Sequence, residues 1–513
     1  MGESDSISGN EHQLRDEIRR LRLENLDQKA RLAELAEEKA ILKQEQERLE
    51  KEQDRLRQNQ ARQKEEQKRL EKENDDLKAE LARSRITSRN SSKRPSSDIV
   101  KPRGKRGASK LKIGGQPGHP LNERPPFVPE SLDAVIEHKL SCCPDCQGPL
   151  RYHSGVSNTV QQMDIQPMQV RIEEHRANSY WCASCVKYHT APLPPPVEKG
   201  GLCGPSLTAL IAYLKGACHA SYSTIQRFLK DVAGIGVSRG LLAKLIHKVS
   251  ASLKGSHDEL LELLASQCVL NVDETGHPEN GEGLWTWCFR AEMFVLFKID
   301  PSRGSQVLLE VLGEDFNGVL GCDYFSAYRK YMGDFGIRVQ FCLAHLIRDV
   351  KFLLDLPDAQ TKMYGRRLLD ALRSLFGVVH RRESLSAKEF KIQLVAAREA
   401  ILLWARTNVP PSREARNLAA RFKNHGAAYF QFITTPSVEP TNNLAERAIR
   451  FIVIDRLVTQ GTRGEKGRRW CERIWTAMGT CTIRSTSLFD YLNKAVHAHF
   501  NNQTPPSLLS STT

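Results

Sequence analysis

Hydrophobic positions along this chain change period several times, and each change marks a different kind of element. From residue 11 to 84 Gly and Pro are almost absent, and leucine recurs at one heptad position: Leu14, Leu21, Leu35, Leu42, Leu49, Leu56, Leu70 and Leu77, with Gln28 and Gln63 in the gaps. The companion seam is mostly polar, running Ile18, Asn25, Leu32, Lys39, Gln46, Gln53, Gln60, Gln67, Asn74 and Leu81. This predicts a long coiled-coil helix, in which polar seam residues limit oligomer number and fix register. A solitary charged helix held by i,i+4 pairs is the alternative. The pattern does not fix parallel or antiparallel pairing.

From Pro205 to about Leu261 the period is helical. Tyr222 to Val232 is amphipathic, Gly234-Ile-Gly236 breaks it, and Ser238 caps a second helix running through Lys248. Two helices about a glycine-containing turn suit helix-turn-helix geometry, although helical hairpins without a DNA role share the pattern.

Short apolar runs follow. Cys268–Thr275, Leu284–Arg290 and Phe294–Ile299 read as three consecutive antiparallel strands, then Gly304–Leu312 as a helix, then Gly318–Tyr324 and Arg338–Leu343 as two more strands. Residues 346 to 430 are helical in pattern and read as an insertion. Beyond them, Leu444, Ala445, Ala448, Ile449 and Ile452 form the apolar stripe of a helix whose other face carries Asn442, Glu446 and Arg450.

At 513 residues the chain can bury more than one core. The net charge of +14 suits a polyanionic partner. The charge is concentrated at Arg85, Arg89, Lys93, Arg94, Lys101, Arg103, Lys105, Arg106, Lys110 and Lys112, opposed only by Asp98. Rich in Ser, Pro and Gly, that stretch reads as a disordered arm for DNA backbone. No signal-peptide pattern and no apolar run of spanning length is present, so a soluble intracellular protein is expected. The 13 cysteines do not form a secreted disulfide framework, and Cys218, Cys268 and Cys481 read as buried small hydrophobes.

Two close pairs stand out, Cys143-Pro-Asp-Cys146 and Cys182-Ala-Ser-Cys185. Such knuckles supply four thiolates for one structural Zn²⁺, with a β-hairpin in Met168–Trp181 returning the second knuckle to the first. Cys142 or His189 could replace a ligand, and reduced cysteines without metal are the alternative.

Three acids complete the chemistry. Asp273 lies on the first strand, Asp323 ends the fourth, and Glu446 sits on the distal helix. That arrangement is the one by which ribonuclease H-like nucleases and transposases hold two Mg²⁺, or Mn²⁺, with carboxylates. Strand alternation sends Glu274 to the opposite face from Asp273. Taken singly, Asp273 and Asp323 could be turn acids, and Glu446 could close a capping box with Asn443. His345, Arg348, Arg447, Arg450 and the basic run Arg463–Arg469 are candidates for holding DNA phosphates.

The strings NSSKRPSSD (90–98), GGQPGHP (114–120), the two cysteine pairs, VDETG (272–276), CLAHLIRD (342–349) and PTNNLAER (440–447) occur in one order. Together they resemble the successive signatures of insertion sequence 66 family transposases, over about residues 10 to 500. Ile454–Trp470 departs from the commoner family continuation. The resemblance implies an enzyme that binds the terminal inverted repeats of its element. It would cut phosphodiesters with Asp273, Asp323 and Glu446 and join 3′-OH ends to target DNA. Homo-oligomers, possible element-encoded accessory proteins, no membrane and a bacterial, nucleoid-associated cytoplasmic location go with it.

The expected organisation is multidomain. It comprises a disordered start (1–10), coiled coil (11–84), disordered basic arm (85–130), zinc ribbon (131–200) and a small helical DNA-binding domain (201–262). An α/β ribonuclease H-like core (263–345 and 431–500) follows, interrupted by the helical insertion (346–430), then a disordered tail (501–513). A zinc-containing DNA-binding regulator with an inactive nuclease-like domain, or a nuclease without strand transfer, are the other readings.

Overall fold

The computed structural model describes residues 5–84, 125–151, 159–163 and 170–510, with side chains from residue 14 onward. Most of the expected basic arm, with Lys101, Arg103, Lys105 and Arg106, lies outside the described residues, as do NSSKRPSSD and GGQPGHP. The chain divides into two compact units, Met1–Ile86 with Leu354–Met363, and Thr87–Leu353 with Tyr364–Thr513.

The first unit is dominated by one helix, Asp5–Ser84. Its heptad leucines are all exposed, from Leu49 at 54% to Leu42 at 64%. Local pairs support the helix, among them Arg48–Glu45 at 3.3 Å and Gln46 to Glu50 at 3.0 Å, but exposed pairs contribute only a few tenths of a kcal/mol each. A helix this long therefore leaves an unburied apolar stripe in the single chain.

The second unit contains an antiparallel hairpin, β1 (Ser179–Cys182) with β2 (Lys187–Thr190), and a five-stranded sheet. The sheet uses β3 (Val269–Glu279), β4 (Glu282–Arg290), β5 (Val295–Asp300), β6 (Val319–Cys322) and β7 (Arg338–Phe341), in the order β5-β4-β3-β6-β7. β3, β4 and β5 pair antiparallel, while β6 pairs parallel with β3 and β7 parallel with β6. The parallel members need crossovers, and helices Ser305–Leu312 and Ser326–Phe335 supply them. All five core strands fall where the apolar runs predicted them.

Helix Glu465–Ile483 covers the β5 edge. Glu472 Oε1 accepts from Ile299 N at 2.7 Å, Thr476 Oγ1 from Phe297 N at 3.1 Å and Thr480 Oγ1 from Val295 N at 3.3 Å. Spacing of four along the helix matches spacing of two along the strand, so one face serves alternate amides. At the other edge, Gln340 of β7 donates to Tyr429 O and accepts from Phe432 N, each at 3.0 Å.

The helices expected over 201–262 are present as Tyr222–Ala233 and Arg239–Ser252. Ser221 and Ser238 cap their starts, each accepting at 3.1 Å, and Gly234 ends the first at φ 69°. They do not stand apart from the sheet region. Asp455 accepts from His219 Nδ1 at 2.7 Å and from Trp475 Nε1 at 3.1 Å, and Arg473 donates to Ser250 O at 2.9 Å. The expected disordered tail differs too. Leu508 is buried, Ser507 donates to Glu259 at 2.7 Å and Arg484 to Leu509 O at 3.0 Å.

Between β7 and Glu446 the chain is helical, with Leu343–Asp355, Ala359–His380, Ala387–Arg406 and Arg413–His425 as its long members. Of the cysteines expected to be buried, Cys481 is, but Cys218 and Cys268 are exposed. Both sit at element ends, after Pro205–Gly216 and before β3, where the chain turns outward. No described helix is long and apolar enough to cross a membrane.

Candidate functional site

Asp273 lies inside β3, just past the part of that strand that pairs with β6, and Asp323 follows the end of β6. In the β3–β6 pairing Val269 lies opposite Val319 and Asn271 opposite Gly321. Continued past the end of β6, this register sets Asp273 level with Asp323. Asp273 Oδ1 accepts from Glu274 N, and Asp323 Oδ1 from Phe325 N, each at 2.9 Å. Burial pushes the Cys322 thiol well above its usual range, and the fields of Asp323, Glu274 and Asp273 push the same way.

Glu446 arrives on helix Asn443–Thr459, whose start is pinned to the sheet. Asn442, buried, donates to Val272 O at 2.8 Å, accepts from Asn271 Nδ2 at 3.0 Å, and donates its backbone N–H to Cys342 Sγ at 3.2 Å. Gly321 makes room for this staple, since a Cβ there would lie 2.5 Å from Asn271 Nδ2. Ala445, Ile449 and Ile452 are buried beneath the helix, whereas Leu444 of the expected stripe is exposed.

The Glu446 carboxylate does not close a capping box. Its Oε1 lies 3.6 Å from His345 Nδ1 and its Oε2 3.7 Å from Arg348 Nη2. Both separations are too long for hydrogen bonds. Glu446 Oε1, His345 Nδ1 and Arg348 Nη1 are buried without a hydrogen-bond partner. Burial, reinforced by the Arg348 guanidinium, pushes the His345 imidazole down to about 4. Cys342, His345 and Glu446 present ligand atoms within 4.8 Å of one another, whereas Asp273 and Asp323 join no such three-residue group with Glu446 among the described residues. Oxygen donors and a buried, unpartnered carboxylate oxygen fit a hard divalent cation. Arg348, Lys351, Phe376, Thr441 and Asn443 line a shallow, open surface depression.

Glu274 faces the opposite way, as alternation predicts. It is buried, accepts from Arg303 Nε at 2.9 Å and Nη2 at 2.7 Å, and takes the Tyr328 hydroxyl on its other oxygen. Arg303 in turn stacks over Phe325, 3.7 Å from its centroid. Of the basic candidates, Arg447 and Arg450 are exposed, while Arg468 and Arg469 pair with Glu279 at 3.2 Å and Glu472 at 2.9 Å. Sequence reasoning missed Asn271, Cys342, Arg303 and Tyr328. Of these only Cys342, in the quoted CLAHLIRD string, carried a signal.

The cysteine knuckles repeat one backbone form. Each is followed by a residue at positive φ, Gln147 at 57° and Val186 at 53°. Backbone amides within each knuckle lower the Cys143 and Cys182 thiols, as thiolate ligands require. The hairpin turns at the second knuckle itself: β1, whose Ser179–Trp181 lie in the expected segment, leads into it and β2 leads out of it. A turn that already reverses at Cys182–Cys185 brings His189 back, its Nε2 3.1 Å from Cys185 Sγ. Cys182, Cys185 and His189 form the metal-competent group there, and this donor set fits zinc.

A search of curated proteins finds no match. Residues 141–186 match the family model described as the zinc-finger binding domain of transposase IS66. Residues 200–469, more than half of the chain, match the model described as Transposase IS66 family. With the five-stranded sheet, the acids and the cysteine knuckles falling inside those matches, the chain belongs to the IS66 family of transposases.

Proposed function

We propose that the chain is a DDE-type transposase with a ribonuclease H-like core, in which Asp273, Asp323 and Glu446 hold two Mg²⁺ or Mn²⁺ ions. The observation that carries this reading is the register setting Asp273 beside Asp323, on the strand to which Asn442 staples the helix of Glu446. When bound, the ions supply an activated attacking oxygen and charge to offset the leaving oxygen. The chain's own task is placement. Asp273 projects from within β3 and Asp323 from just past the end of the adjacent β6, Glu446 from a helix fixed at its N-cap, and Arg348 and Lys351 line the nearby surface depression where phosphates would pass. Arg447 and Arg450 lie exposed on the same helix and extend this basic surface.

Around this core the basic arm, with Lys101, Arg103, Lys105 and Arg106, supplies sequence-independent affinity, and helices Tyr222–Ala233 and Arg239–Ser252 meet the terminal inverted repeats. One zinc ion is held by Cys143, Cys146, Cys182 and Cys185. The exposed leucine stripe pairs with that of a second copy, which sedimentation of the full chain tests: a monomer at high micromolar concentration would reject it. Residues 346–430 act as an insertion in the core. The protein works at the bacterial nucleoid, with element-encoded accessory proteins as further partners.

Labelled DNA ends carrying the inverted repeats that flank the gene test the reading. Wild type should cleave and join them with divalent metal, and Asp323→Asn should bind but do neither. Binding without cleavage by wild type would make the protein a regulator, and cleavage without joining a nuclease.

A further inference from the structure

We infer that His345 is a nitrogen ligand to one of the divalent cations, completing a mixed site with Glu446; this rests on the three-acid reading above. Two donors each about 2.1 Å from one ion lie about 3.0–3.6 Å apart for angles of 90–120°. His345 Nδ1 and Glu446 Oε1 are 3.6 Å apart, a separation wrong for a hydrogen bond and right for a shared cation. Both atoms are buried and neither has a hydrogen-bond partner. An orphaned acceptor of that kind costs about 1–3 kcal/mol, more when charged, and a cation between them relieves both.

The third member of the cluster has a different task. Cys342 Sγ already accepts from Asn442 N at 3.2 Å, so it positions the helix of Glu446. Arg348 approaches the other carboxylate oxygen, Oε2, and leaves Oε1 to face the imidazole. His345 and Asn442 are both placed by the segment that follows β7, with Leu343 N bonded to Pro440 O at 2.9 Å. The chain therefore brings imidazole and carboxylate together by two independent tethers.

An imidazole shifts the preference of an oxygen site toward transition ions. The chain should then discriminate Mn²⁺ from Mg²⁺ and Ca²⁺ more strongly than three carboxylates would alone. The probe is Mn²⁺ added to the full chain with its zinc retained, read by pulsed electron paramagnetic resonance and calorimetry.

Bound Mn²⁺ should show a directly coordinated nitrogen that vanishes in His345→Gln and in Glu446→Gln. In His345→Gln, Mn²⁺ affinity should fall on the order of tenfold while Mg²⁺ affinity changes less. Mn²⁺ that binds in an Asp323-dependent manner with no nitrogen coupling, or with a coupling that survives His345→Gln, overturns the inference and leaves the three-acid reading standing. Mn²⁺ binding that is absent, or indifferent to Asp323→Asn, overturns both. Should His345→Gln fail to fold, the wild-type spectrum and Glu446→Gln decide.

Discussion

The side chains of Asn271 and Asn442 meet head to head, Asn271 Nδ2 donating to Asn442 Oδ1 at 3.0 Å across 171 residues of chain. Asn271 is two residues before Asp273 on the same face of β3, and Asn442 is four before Glu446 on the same face of its helix. One amide pair thus couples the placement of the first acid to that of the third.

Asn442→Ala should break that coupling. It strands the Asn271 amide and Val272 carbonyl in a buried setting, which costs about 2–4 kcal/mol in total. Asn442→Asp keeps the acceptor for Asn271 but loses the donor to Val272 O. Denaturant midpoints should fall for both, and the Mn²⁺ dissociation constant should rise for both even at temperatures where each is fully folded. Unchanged metal affinity in a folded Asn442→Ala would reduce the staple to a stability device.

Glu274→Gln should separate fold from chemistry. Breaking a buried ion pair costs about 3–5 kcal/mol. Because the Arg303 side chain keeps 32% exposure, about 2 kcal/mol is expected here. Denaturation should show that loss, while calorimetry finds Mn²⁺ binding at Asp323 intact. Abolished metal binding in folded Glu274→Gln would put Glu274, not Asp273, in the site.

His277 predicts an acid-sensitive fold. Burial pushes its imidazole down from 6.5 to about 4, with Arg456 and Arg468 pushing the same way and Glu279 opposing. The unfolded chain takes up this proton first, so stability falls as pH drops from about 6.5 to about 4, by about 3 kcal/mol at most. Denaturant midpoints at pH 7 and 5 should differ, and His277→Gln should flatten the difference. Equal slopes with and without His277 would show that other groups carry the effect.

Elemental analysis should find one zinc per chain, lost from Cys143→Ser and from Cys182→Ser. The hairpin that brings His189 within 3.1 Å of Cys185 makes His189→Ala the discriminating variant. Zinc retained there and lost without Cys146 fixes the four-cysteine set. The reverse outcome replaces Cys146 by His189.

Strand positions were legible in the sequence because each core strand contains a short apolar run bounded by turn residues; Asp323 takes its place from the end of β6, whereas Asp273 lies within a β3 that runs on to Glu279. The helix of Glu446 was legible from its stripe. Its tether was not, because the bond from Asn442 to Val272 joins segments far apart in the chain. Arg303 and Tyr328 escaped for the same reason: an arginine before one helix and a tyrosine within another meet Glu274 only after the crossovers form. The zinc hairpin was misplaced because strand-like composition in Met168–Trp181 does not reveal pairing. The reversal instead uses Val186 at φ 53°, a position that no residue type announced.

The side chains of Glu472, Thr476 and Thr480 occupy the amides of β5, and Gln340 ties β7 to the backbone at Tyr429 and Phe432. At the β5 margin, where side chains occupy the free amides, the sheet offers no template to a neighbouring strand. Any contact between copies at that margin would then have to use helix faces and loops instead of strand pairing.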